Sequence, residues 1–182
     1  MRATQLASTD ALWLLNPYFF QNFLPKPANC QLAFGKPAPD FLLQSVDEKT
    51  YQLSSFRGKS VVLIFTRIFT GKQRRSICAP YILALSEIYP QFLSLGAELL
   101  IVGSTSLRDS KIIQKELSIS APFLSDSSCS SFRLYGTGKA LGAPLPAQFV
   151  IDSEGRLRFQ HLFSLAHTHA TAARLLWAVR NL

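Results

Sequence analysis

A mixed α/β domain, with a central sheet flanked by helices, is the architecture this sequence predicts. Two short apolar runs rich in β-branched residues and leucine, 60–66 and 98–102, read as strands buried on both faces. Between them Cys78, Ile82, Leu85, Tyr89 and Phe92 recur at steps of four, three, four and three, one stripe of a helix. Two further extended runs, 148–152 and 157–161, flank Ser153-Glu154-Gly155-Arg156 and read as a hairpin, after which a helix from about residue 167 to 179 closes the chain. Strands alternating with helices, then a terminal hairpin and helix, imply a mixed sheet.

In chain order, residues 1–34 form an N-terminal arm. Its apolar residues Trp13, Leu14, Phe19, Phe20, Phe23 and Leu24 suit an amphipathic helix capped by Ser8 or Thr9, and Pro25 and Pro27 stop it. Residues 35–182 form the domain proper. Runs 41–44 and 50–53, separated by a turn around Asp47, predict a small N-terminal β-hairpin. The Cys78 stripe continues to about Gly96, with a kink at Pro90. Ser106 followed by Asp109 resembles a capping box and starts a helix over about 107–117. Residues 122–125 suit a short strand, and a short helix follows Cys129 to about Tyr135; Gly136, Gly138 and Gly142 mark a loop.

Composition narrows the function classes. With 48% hydrophobic and 12% aromatic residues in 182, the chain can bury a core, which excludes general disorder. Lys and Arg outnumber Asp and Glu by 19 to 11, giving a net charge of +8, but the only local cluster is Lys72, Arg74 and Arg75. Without zinc-finger spacing, a basic helix or an aromatic-studded strand, no nucleic-acid partner is expected. No run of 18 apolar residues occurs, so no membrane helix is expected, and three widely spaced cysteines do not form a secreted disulfide framework. A cytoplasmic setting is the expectation. The arm's apolar residues can serve either a homodimer contact or packing on their own domain.

Chemistry concentrates where the strand 60–66 leads through a polar segment to Cys78 at a helix start. Unpaired N–H groups of a helix N-terminus, together with Arg74 and Arg75, favour thiolate over thiol. A thiolate there can attack a peroxide O–O bond or a disulfide. The same position, on a stripe with Ile82 and Leu85, also suits a buried structural cysteine. His161, His167 and His169 lack the spacing of a metal site, and the glycines match no phosphate loop, so neither metal nor organic cofactor is expected.

The runs Gly35-Lys36-Pro37-Ala38-Pro39-Asp40-Phe41 and Leu53-Ser54-Ser55-Phe56-Arg57-Gly58-Lys59, then Cys78, Leu124-Ser125-Asp126 and Leu145-Pro146-Ala147-Gln148-Phe149-Val150-Ile151-Asp152, resemble the redoxin family. This family holds the alkyl hydroperoxide reductase and thiol-specific antioxidant peroxiredoxins and their thioredoxin-like relatives. The resemblance spans about residues 35–180. It implies a thioredoxin fold, a reactive Cys78 in the first helical turn after the central strand, and a cis Pro146 facing it.

The chain departs from the family at the motif itself. Arg75 stands three residues before Cys78, where thioredoxins carry a second cysteine and peroxiredoxins a threonine or serine. An arginine that peroxiredoxins keep in the strand region is replaced by Leu145-Pro146, so Arg67, Arg74 or Arg75 would supply its charge. Two readings follow. In the first, the chain is a thiol-dependent antioxidant oxidoreductase that reduces peroxide through Cys78, with Arg75 and Arg74 as activators, Pro146 as groove wall and Cys129 as the candidate resolving thiol. Cys30 is the weaker candidate for that role. A thioredoxin, a glutaredoxin or a small thiol would return the reducing equivalents. In the second, the fold persists as a redox-inactive module that binds a ligand in the groove between Cys78 and Pro146.

Overall fold

The computed structural model describes residues 26–67, 78–164 and 169–182. Its centre is β3 (Ser60–Thr66), where Val61 to Phe65 are all at most 1% exposed, as a run apolar on both faces requires. Burying each of these side chains is worth about 1.5–3 kcal/mol over leaving it in water. On one side β3 pairs in parallel with β4 (Ala97–Gly103), which pairs in parallel with β5 (Phe123–Ser125). On the other it pairs antiparallel with β8 (Ala147–Ile151), and β8 with β9 (Leu157–Leu162). The N-terminal hairpin, β1 (Leu42–Ser45) and β2 (Thr50–Gln52), closes the far edge through an antiparallel pairing of β1 with β5. The order is therefore β2-β1-β5-β4-β3-β8-β9.

Alternation along these strands separates two cores. Val62, Ile64, Leu99, Ile101, Phe123 and Val150 meet α1 (Ala79–Glu87), α2 (Tyr89–Ser94), α3 (Leu107–Leu117) and α5 (Ala172–Arg180) on one face. Val61, Leu63, Phe65, Leu100, Phe149 and Ile151 meet Phe132 of α4 (Ser130–Leu134), Tyr135, Leu53 and Phe41 on the other. Phe65, Phe132, Tyr135 and Phe149 form a ring cluster there, with centroids 4.8–5.9 Å apart.

Local chemistry sets the helix limits. Ser106 caps α3: its Oγ accepts the Asp109 N–H at 3.2 Å and donates to Asp109 Oδ2 at 2.8 Å. The expected kink at Pro90 is a break at Ile88, because Pro90 has no N–H to continue the ladder and its ring excludes the carbonyl four residues back. The closing helix, expected from about residue 167, starts at Ala172, since the Thr171 hydroxyl accepts the Arg174 N–H at 3.2 Å and stops the helix there.

One further expectation changes, and another is not reached. The helical part of the arm lies outside the described residues. Residues 26–34 are not helical, in keeping with a stop at Pro25 and Pro27, and run along the domain, with Lys26 bridged to Lys139 and the Asn29 N–H donating to Gly136 O at 2.9 Å. The glycine-marked loop is a small hairpin, β6 (Lys139–Ala140) with β7 (Ala143–Pro144), turning through Leu141 at φ 51° and Gly142 at φ 73°. Positive φ at both turn residues is the twist a two-residue hairpin needs, although leucine is a costly residue for it.

Candidate functional site

Cys78 lies at the head of α1, directly before Ala79-Pro80, and its carbonyl accepts the Ile82 N–H at 2.9 Å. Proline suits the first helical turn because no N–H is needed there. The cysteine is 3% exposed and packs in the core that holds Val62, Ile64, Ile82 and Val150. Arg74 and Arg75, the expected activators, lie outside the described residues. Among the described residues, Arg67, the first residue after β3, comes within electrostatic reach of Cys78. Burial lowers the Arg67 pKa, and the anionic form of Cys78 pulls it back up. Its guanidinium is held by the hairpin turn, Nη1 donating to Ala140 O at 2.9 Å and Nη2 to Leu141 O at 3.3 Å.

Pro146 has a trans peptide, contrary to the cis form expected from the resemblance. Trans is the preferred form of X–Pro bonds by about 0.5–1 kcal/mol, and only a surrounding structure that enforces cis reverses it. The register still sets Pro146 beside the site. Ile64 pairs with Gln148, and Phe65 with Ala147, so the next step puts Thr66 opposite Pro146, on the sheet face that Cys78 covers. Both Pro146 and Thr66 are buried.

Among the described residues, Thr66 Oγ1, Gln148 Nε2 and the Tyr81 hydroxyl on this face have no hydrogen-bond partner. Gln148 is wholly buried and spends its Oε1 on the Ala170 N–H at 3.0 Å. Tyr81, on the first turn of α1, stacks on His169 with ring centroids 4.2 Å apart. Burial, and then the charge of Cys78, raises its phenol pKa. Burial, and then His161, lowers the His169 pKa to about 4, so this imidazole is neutral at physiological pH. Buried polar groups without partners are uncommon in folded proteins and cluster where a ligand or water completes them.

The expected resolving thiol stands elsewhere. Cys129 begins α4 at φ 55° and packs against the opposite core, and no disulfide joins it to Cys78. Burial raises its thiol pKa, Asp126 adds to that, and Arg133 opposes it. Cys30 lies on the same side as Cys129, its Sγ donating to Gln160 Oε1 at 3.2 Å. Among the described residues no group of His, Cys, Asp and Glu is arranged to hold a metal, and no helix is long and apolar enough to cross a membrane.

Of these features, sequence reasoning had singled out Cys78, Pro146 and Arg67 but missed Tyr81, Thr66 and Gln148. A signal for two of them was present. Gln148 and Thr66 are polar residues at positions whose two-residue parity with Val150 and Ile64 puts them in the core.

The chain is 30% identical over 129 residues to the thiol-disulfide oxidoreductase ResA of Geobacillus thermodenitrificans, covering 70% of this chain and 68% of that one. It is 34% identical over 135 residues to the selenocysteine-containing peroxiredoxin PrxU of Peptoclostridium acidaminophilum, covering 68% and 64%. The crystal structure of peroxidoxin BcpB from Mycobacterium tuberculosis superposes with a TM-score of 0.71 at 18% identity, over 84% of this chain and 99% of that one, which establishes the thioredoxin fold. The AhpC/TSA family model matches residues 34–160, and the chain belongs to that family, among redoxins that include thiol-disulfide oxidoreductases and peroxiredoxins.

Proposed function

We propose that this chain is a thiol-dependent peroxidase that uses Cys78 as its one reacting cysteine. The observation that carries the reading is the setting of Cys78: a thiol only 3% exposed, on a sheet face that neither Cys30 nor Cys129 shares. A buried sulfur suits an oxidant of a few atoms better than a protein disulfide, which must bring two sulfurs into line with it. Arg75, in the place of a second cysteine, also weighs against dithiol exchange of the ResA kind.

The Cys78 thiolate attacks the nearer oxygen of a hydroperoxide. A S–O bond forms, the O–O bond breaks, and the sulfur is oxidised by two electrons to a sulfenic acid. The departing alkoxide or hydroxide takes a proton. Arg67 offsets the negative charge as it moves from sulfur to oxygen. The hydroxyls of Thr66 and Tyr81 and the amide of Gln148 are the donors available to the peroxide oxygens. A small external thiol, which can reach the buried sulfur where a protein thiol cannot without local opening, then displaces water to give a mixed disulfide. A second thiol releases Cys78 as the reduced form and leaves as the disulfide. A reducing compartment such as the cytoplasm is the setting this cycle requires.

The test is a time course with stoichiometric hydrogen peroxide and a sulfenic-acid trap, read by mass spectrometry at each cysteine beside Cys78→Ser. Labelling of Cys78 far faster than of Cys30 and Cys129 is the expected result. Labelling of Cys78 no faster than a simple thiol overturns the catalytic reading and leaves a binding groove between Cys78 and Pro146.

A further inference from the structure

A cleft of about 550 Å³ opens on the sheet face away from Cys78. Lys26, Arg133 and Lys139 line it, with Cys129, Phe132 and Pro144 among the other walls, and no carboxylate among the described residues lines it. Lys26 and Lys139 are brought together by the backbone bridge between them, so their charges are held near each other by the fold. None of the three takes part in an ion pair among the described residues. The nearest acid in sequence, Asp126, is spent internally. It is 2% exposed and accepts from the hydroxyls of Ser128, Ser130 and Ser131 and from the backbone N–H groups of Ser130 and Ser131.

Three like charges converging on one concave surface repel each other, and a concave low-dielectric wall concentrates their field. The arrangement is relieved by an occupant that brings negative charge. The apolar part of the wall, Phe132 and Pro144, suits a carbon skeleton beside that charge. We propose that this cleft binds a small organic polyanion, a molecule with two or more carboxylate or phosphate groups on a compact apolar frame. The site is separate from the Cys78 chemistry, with the sheet between them.

Cys129 in the wall gives a direct readout. The reduced full chain is treated with dithiobis(nitrobenzoate), a dianionic disulfide, and in parallel with neutral dipyridyl disulfide. Each transfers one aryl-thio group to the Cys129 sulfur and releases the other half as a thiolate. Mass spectrometry of the Cys129 peptide counts that thiol alone. Rates are divided by those of the same reagents with the neutral thiol N-acetylcysteine amide. The expected result is a preference for the dianion of about tenfold at low ionic strength, collapsing in about 0.5 M salt. The double substitution Lys26→Gln with Lys139→Gln removes most of it, and Lys59→Gln, on another surface, leaves it. Protection by citrate assigns the ligand chemistry to carboxylates, and protection by pyrophosphate assigns it to phosphates. A preference no larger than that of the reference thiol overturns the proposal. So does a preference that survives the double substitution, one that Lys59→Gln reduces as much, or the lack of protection by either anion.

Discussion

Cys78 and Cys129 are separated by the central sheet: Cys78 packs with Val62, Ile64 and Val150 on one face, and Cys129 packs with the Phe132 side of the other. A disulfide needs Cα atoms within about 7 Å, so joining them would require α1 or α4 to leave the sheet. Oxidation of the intact chain with one equivalent of hydrogen peroxide should therefore give no peptide linking Cys78 to Cys129, and Cys129→Ser should leave the rate of Cys78 oxidation unchanged. A linked peptide that forms in monomeric protein as fast as the sulfenic acid decays would show that the sheet face is no barrier.

Arg67 ties the site to the β6–β7 hairpin, since the same guanidinium that reaches Cys78 electrostatically donates to the carbonyls of Ala140 and Leu141. Arg67→Gln should slow the reaction of Cys78 with hydrogen peroxide by about tenfold, the equivalent of about 1.4 kcal/mol in the barrier. Arg67→Lys should recover part of this, because it keeps the charge and loses the two-pronged grip. The measurement is the second-order rate under excess peroxide. An unchanged rate in Arg67→Gln would remove Arg67 from the chemistry and shift attention to Arg74 and Arg75.

Sequence patterning was most informative where one local rule decides an element. The valines and neighbouring apolar residues of Ser60–Thr66 admit only a doubly buried strand, and Ser106 with Asp109 predicted the start of Leu107–Leu117 to the residue. It was least informative where distant segments meet. Nothing local in Leu141 announces a left-handed turn, and that turn is held in part by an arginine 74 residues away. Likewise Tyr81 reads as one more apolar-stripe neighbour until the fold stacks it on His169. The Cys78 environment is made by β3, β8, α1 and the segment before α5, and pairing among them is tertiary information.

The arm segment 26–30 is docked through glycines that no other residue replaces. A Cβ on Gly138, at φ 79°, would lie 2.6 Å from Lys26 O and 2.7 Å from Ala28 N, both backbone atoms that cannot rotate away. Gly138→Ala should therefore cost at least about 2 kcal/mol, from left-handed strain plus displacement of the arm. Gly142→Ala is the control: it has φ 73° but nothing within 4 Å, and it should cost only the strain, about 1 kcal/mol. Urea midpoints of the two variants at constant slope test this. Equal losses would mean that residues 26–30 are not held against Gly138.

His169 makes stability pH-dependent in a window of its own. Its folded pKa is lowered to about 4, by burial first and by His161 second, against an ordinary value of 6.5. Between these values the unfolded chain binds a proton that the folded chain does not, so folding loses stability as pH falls from about 6.5 toward about 4 and levels off below. At about 1.4 kcal/mol per pH unit that loss is bounded by about 3–4 kcal/mol, and solvent screening of the partly exposed ring keeps it well below the bound. Carboxylates with lowered pKa, among them Asp126 and Asp152, act in the lower range, below 3.8, where stability is lost as they are protonated. His169→Phe keeps an aromatic ring on Tyr81 and removes the proton site. Its unfolding free energy should be flatter between pH 6.5 and 4 than that of the parent, while the steeper fall at lower pH persists. If parent and variant lose stability in parallel across that window, the buried imidazole is not the titrating group.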